Sequence, residues 1–169
     1  MLKTLRRSTV TRSTARRLCS ELLHQARAPV FFLRLKVPDT IDGRFDLVAL
    51  HAWLVLEWVG SDQRLSQALI NEVFRSFEEA LRHLGTGDAG INRRLKTLAS
   101  AFYGRLSAYQ AATTPTELSE AIWRNVYRGS DSCRAYAERL ARYVAASRSE
   151  LAKTELSAGR LKFAPLPTM

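Results

Sequence analysis

VPDTIDGRFDLVALHAWLVLEWV, residues 37–59, decides how this chain folds. Its first seven residues include Pro38, Asp39, Asp42 and Gly43, residue types that set turns. From Leu47 to Leu56 the only ionisable side chain is His51, and Asp46 and Glu57 bracket the run. A membrane span needs about twenty apolar residues with few charges, so this run is too short and reads as a core helix over 43–59, stopped by Gly60. At about 100° per residue, Asp46, Leu50, Trp53 and Glu57 fall on one line. Val48, Ala52, Val55 and Val59 fall on the opposite side. That pattern describes either a core helix with a narrow wet edge or an apolar site rimmed by acids. Asp42 is placed either to cap the helix or to stand on the rim of such a site with Asp39 and Arg44.

Working outward, helical spacing repeats on both sides, while glycine and proline sit between the apolar runs. Residues 14–28 form an amphipathic helix with Leu18, Leu22 and Gln25 on one face, and VFFLRL (30–35) forms a short helix or an extended piece. Ser61 or Asp62 opens the next helix, whose stripe is Leu69, Val73, Phe77, Leu81 and Leu84. Ile91, Leu95, Leu98, Phe102, Leu106 and Tyr109 mark a helix over 89–111. Thr114-Pro115-Thr116-Glu117 combines an N-cap, an N1 proline and an acid at N3, and its helix runs to Arg128 before Gly129. Ser130-Asp131 opens the last helix, with Tyr136, Leu140 and Val144 inward. The expected fold is all-α, a compact bundle of six to seven helices over 14–156, with a mobile basic arm at 1–13 and a short, mobile C-terminal tail at 157–169.

The net charge of +10 is uneven: residues 1–36 and 85–169 are basic, and 37–84 are acidic. Such asymmetry suits RNA, a ribosome or acidic lipid, and equally serves solubility. The first twenty residues resemble a mitochondrial presequence in composition, yet Leu18, Leu22 and Leu23 run on into the domain and leave little room for one. Cys19 and Cys133 have no metal-ligand or disulfide pattern and fit a reduced compartment. His24, His51 and His83 stand on separate helices without ligand spacing, so no metal site is expected. GTGDAG (85–90) lacks the preceding strand of a phosphate loop, and no nucleophile elbow or nucleic-acid module is visible. The expectation is therefore a protein without catalysis, cofactor or sequence-specific nucleic-acid binding.

VPDTIDGRFDLVALH, GDAGINRRLKTLASAFYGRLSAY and ELSEAIWRNVYRG, in that order, resemble the ubiquinol–cytochrome c chaperone family, the assembly factors of the cytochrome bc1 complex. The likeness runs over roughly residues 15–145, and its specific parts are VPDTIDGRFDL and AFYGRLSAY. It implies an all-α fold and binding of newly made cytochrome b without catalysis, in mitochondria together with a small partner protein at the ribosomal tunnel exit. The short basic start fits a bacterial form, which would work in the cytoplasm at the inner membrane; the alternative is the mitochondrial matrix.

The residues expected to touch client or partner are Asp39, Asp42, Arg44, Asp46, Leu50, Trp53, Glu57, Tyr103 and Arg105. Gly104, in mid-helix between Tyr103 and Arg105, allows either close packing or a notch in a groove. Arg6, Arg7, Arg12, Arg16, Arg17, Arg93, Arg94 and Lys96 are the expected electrostatic contacts to anionic membrane or ribosome. The rival reading is a basic, ribosome- or RNA-associated helical protein without client specificity.

Overall fold

The computed structural model describes residues 2–155 and 160–167, with side chains from residue 11 onward. It is all-helical: α1 (Leu2–Ala26), α2 (Pro29–Leu33), α3 (Ile41–Val59), α4 (Gln63–His83), α5 (Asp88–Ala111), α6 (Pro115–Val126) and α7 (Arg134–Ala152), with a 3₁₀ turn at Asp131–Cys133. The side chains of Arg6 and Arg7 lie outside the described residues.

The opening stretch becomes the centre of the bundle. α3 is buried from Phe45 to Val55 without a gap, and α1, α4, α5, α6 and α7 all pack on it. A helix that is apolar all round has to be enclosed on every side. The expected wet edge is therefore absent. Leu50 is fully buried and Trp53 is 3 % exposed, so neither forms part of an open surface. Their line is an internal seam: the Trp53 indole N–H donates to Gln110 Oε1 at 3.2 Å, and its ring meets Tyr109 at 5.6 Å.

Other boundaries shift for local reasons. α3 opens at Ile41, two residues before the expected start, because Thr40 is its N-cap and accepts the Gly43 N–H at 3.1 Å. Asp42 is not the cap; it is exposed in the first turn, where an acid suits the positive end of the helix. Residues 2–13 of the expected basic arm continue α1 as helix, and no proline or glycine interrupts residues 2–26. Of the expected tail, residues 160–167 pack on the bundle, and Ala164 is buried. Asp62 caps α4, and Thr114 with Glu117 forms the capping box of α6, both as the residue types demand.

His51 lies fully buried in α3. Leu47 O can only accept, so Nδ1 carries the proton and donates to it at 2.7 Å, leaving Nε2 to accept from the Tyr143 hydroxyl at 3.1 Å. The Tyr143 hydroxyl in turn accepts from Gln25 Nε2 at 2.9 Å, which ties α1, α3 and α7 together. Burial holds the imidazole neutral down to about 4.

Two stability predictions follow from these contacts. A Cβ on Gly43 would stand 1.9 Å from the Pro38 carbonyl oxygen. Gly43→Ala should therefore cost about 1–3 kcal/mol by overpacking, read by urea unfolding; an unchanged midpoint would show that the turn yields freely. For His51, the unfolded chain protonates near 6.5 and the folded chain only near 4. Its contribution is complete above pH 6.5 and is lost as pH falls towards 4, by roughly 3 kcal/mol in all. The stability gap between wild type and His51→Gln should narrow over that window, and a constant gap would contradict the neutral, buried assignment.

Candidate client-binding site

Where the start of α3 meets the end of α4, the bundle leaves an apolar cleft of about 340 Å³. Its walls are Leu23 of α1, Phe45 and Val48 of α3, Phe77 and Leu81 of α4, and Leu98 of α5, with Arg27 and Arg44 at the rim. Ile41 and Leu84 stand at its mouth, 61 % and 59 % exposed. Both positions have local causes. The Thr40 cap starts α3 early and leaves Ile41 on the outside of its first turn. The α4 stripe runs one step past the helix end to Leu84, before Gly85 turns the chain with φ +76°.

Arg44 pairs with Asp39 at 2.7 Å and its guanidinium lies over the Phe32 ring. Beneath the cleft, Asp46 is fully buried between Arg105 at 2.5 Å and Arg128 at 2.7 Å. Burial pushes its carboxyl above the ordinary aspartate range, against the pull of the two guanidiniums. Arg105 also donates to the Ala101 carbonyl at 3.1 Å and covers the Phe45 ring from 4.9 Å, so the ion pair holds a cleft wall in place. An aromatic ladder then runs Phe45–Phe77–Phe74–Phe102–Tyr103, at centroid spacings of 5.3, 5.7, 5.3 and 5.7 Å.

The expected site residues thus separate. Arg44 belongs to the cleft rim and is paired with the exposed Asp39, and Asp42 is exposed in the first turn of α3. Asp46 and Arg105 support the cleft from below and, being buried or nearly so, are not a charged rim. Tyr103 is 48 % exposed but does not line the cleft; the ladder joins it to the cleft wall at Phe77 and Phe45. Glu57 lies eleven residues beyond Asp46, about 16 Å along the helix, and pairs with Arg148. A side chain on Gly104 would meet nothing within 4 Å, so close packing does not explain that glycine. Arg12 and Arg16 approach Glu72 of α4, whereas Arg17, Arg93, Arg94 and Lys96 are exposed. His24 and His83 are on the surface, and among the described residues no group of three or more His, Cys, Asp or Glu is arranged to hold a metal.

Ile41, Leu84, Leu23 and Leu98 line the cleft but were not among the expected site residues. Ile41 carried a signal, an apolar residue inside a polar turn; Leu84 was read as the end of a core stripe.

The chain is thus an all-α bundle built on a buried helix, with an apolar cleft at the start of that helix. Residues 33–161 match the family model for the ubiquinol–cytochrome c chaperone, and the chain belongs to that family. It is similar to mitochondrial protein CBP3 of Saccharomyces cerevisiae, 26 % identical over 82 % of this chain and 45 % of that protein. It is also similar to human ubiquinol–cytochrome c reductase complex assembly factor 1, 22 % identical over 68 % of this chain and 40 % of that protein. The chain therefore spans less than half of either relative. The crystal structure of the Cbp3 homolog from Brucella abortus superimposes with a TM-score of 0.82 at 30 % identity, covering 98 % of this chain and 97 % of that one.

Removing one partner of the buried pair should be costly. Arg105→Ala leaves the buried Asp46 with Arg128 alone and is expected to lose about 3 kcal/mol, while Asp46→Leu combined with Arg105→Met loses much less, because the charge that remains, Arg128, is about half exposed and keeps its water. Equal losses in thermal unfolding would show that packing on Phe45, not charge, is what matters.

Proposed function

We propose that the chain is an assembly chaperone for the cytochrome bc1 complex, and that its apolar cleft holds side chains of a hydrophobic segment of newly made cytochrome b, or of a similar inner-membrane client. The observation that carries this reading is the pair of large apolar side chains, Ile41 and Leu84, left in solvent at the mouth of an apolar cleft. Such a cleft has room for a few large side chains of one helix laid across it, which suits helix-in-groove binding. The mechanism is shielding without turnover, and it needs no cofactor. Asp39, Asp42 and Arg44 border the mouth and select orientation; Tyr103 and the open notch at Gly104 extend the contact surface at the far end of the ladder.

The exposed cations Arg12, Arg16, Arg17, Arg93, Arg94 and Lys96 serve peripheral contact with anionic membrane or with a ribosome. No helix among the described residues is long and apolar enough to cross a membrane. The work is placed at the inner membrane, on its cytoplasmic side in a bacterium or its matrix side in a mitochondrion, with a small partner protein as a further candidate.

Ile41→Asp with Leu84→Asp tests the cleft. Both side chains are mostly exposed, so the protein should keep its helix content and melting temperature. In a mild-detergent pulldown it should lose cytochrome b at least ten-fold, with Arg44→Ala losing less. Undiminished retention would move the client site elsewhere, and salt-sensitive RNA binding without cytochrome b would favour the ribosome-associated reading.

A further inference from the structure

Asp46 is one of three buried polar or charged residues among those described; the other two, His51 and Ser147, lie on the floor of a groove between α1, α3 and α7. Residues 160–167, RLKFAPLP, lie across this groove without helix or strand. The Leu161 N–H donates to Glu21 Oε2 at 2.5 Å, and the Ala164 N–H donates to Ser147 Oγ at 3.2 Å. Phe163 stands edge-on over the His51 imidazole at 5.5 Å, and Lys162 Nζ lies 3.2 Å from Glu150. Beyond it the groove runs into a cavity of about 550 Å³, with Leu166 at its edge and 38 % exposed.

Two features set this contact apart from ordinary core packing. Both hydrogen bonds described for the segment's backbone N–H groups end on side chains, so the grip asks only for an extended backbone, an aromatic above His51 and a small residue above Ser147. The groove walls also supply carboxylates, Glu21 and Glu150, facing a segment that carries Arg160 and Lys162. The polar floor makes uncovering cheap, because water can replace the Ala164 N–H on Ser147 Oγ, whereas an apolar floor would offer it no partner. Leu161 and Phe163 are themselves only half-buried against the core, so part of their apolar surface already meets water before they leave. Pro165 and Pro167 keep the segment extended before it binds, which lowers the ordering cost.

We propose that the α1–α3–α7 groove is a second protein-binding site, separate from the apolar cleft. It takes an extended, basic, proline-containing segment of a partner protein with an aromatic residue over His51. Residues 160–167 occupy it in the free chain and yield it to that partner.

The test uses the full chain with a protease site inserted between Ser157 and Ala158, cut after folding. A fluorescent peptide of residues 159–169 is then titrated against cut and uncut protein and followed by anisotropy. The cut chain should keep its helical circular dichroism and bind the peptide at least ten-fold more tightly than the uncut chain. Phe163→Ser in the peptide should weaken binding about ten-fold or more. Charge reversal of its Arg160 and Lys162 to Glu, and Glu21→Gln with Ser147→Ala in the groove, should weaken it as well. Unfolding on cleavage would make the segment an ordinary part of the core and overturn the proposal. So would failure of the peptide to enter the cut chain, or equal binding to the uncut chain. A concentration-dependent dimer of the uncut chain that exchanges tails would replace the partner by a second copy.

Discussion

A helix that is apolar on every side has no face to give to water, and α3 imposes that condition on the whole chain. Five other helices pack on it, and their order follows from where each can cover a remaining side. Its two ends are the only places where charge enters: Asp46 is met by Arg105 and Arg128, and Glu57 by Arg148. A buried carboxylate left alone would cost several kcal/mol, so the α5 register that brings Arg105 to Asp46 is strongly preferred over neighbouring registers. The pair thereby fixes where α5 lies along α3, and with it the position of Phe45 under the Arg105 guanidinium.

The cleft follows from that arrangement. With α5 held at Asp46 and α4 ending near His83, the first turns of α3 extend past full cover, and Ile41 and Leu84 are left outside. Covering them in the free protein would need another element, and Gly60, Gly85 and Gly129, each with positive φ, have already turned the chain elsewhere. The aromatic ladder from Phe45 to Tyr103 ties this open corner to the middle of α5, so the two segments that carried the family likeness share one packed layer although Tyr103 does not line the cleft.

Much of the helical order was legible because each helix announces itself by local chemistry: Asp62, the Thr114–Glu117 box, the stripes of α4 and α5, and the Gly60, Gly85 and Gly129 stops. What periodicity could not say is which side of an all-apolar helix is open. The Asp46–Leu50–Trp53–Glu57 line looked like a wet edge only because its partners, Arg105, Arg128 and Arg148, lie far away in sequence. Asp42 was read as a possible cap of α3, whereas Thr40, two residues earlier, holds that place by accepting the Gly43 N–H. The packing of residues 160–167 was hidden for a similar reason: the two prolines gave no sign of it, and Glu21 and Ser147 supply hydrogen-bond acceptors from remote helices. Ile41 and Leu84 were visible as apolar residues at helix ends, but exposure is a property of the assembled bundle.

Burial also separates the residues that hold the fold from those free to serve binding. The Asp39–Arg44 pair is about half exposed on both sides, and such pairs contribute little to stability. Ile41 and Leu84 bury too little to matter to the core. These positions can therefore vary in charge and shape at small cost to folding, so they can be tuned to whatever lies across the cleft. Asp46, Arg105, Leu50 and Trp53 have no such freedom: a change there first disturbs the α3–α5 register and reaches the cleft only through Phe45. The exposed and the supporting residues thus lie on successive turns of one helix, with the first turn of α3 facing outward and the buried turns after it holding that first turn in place.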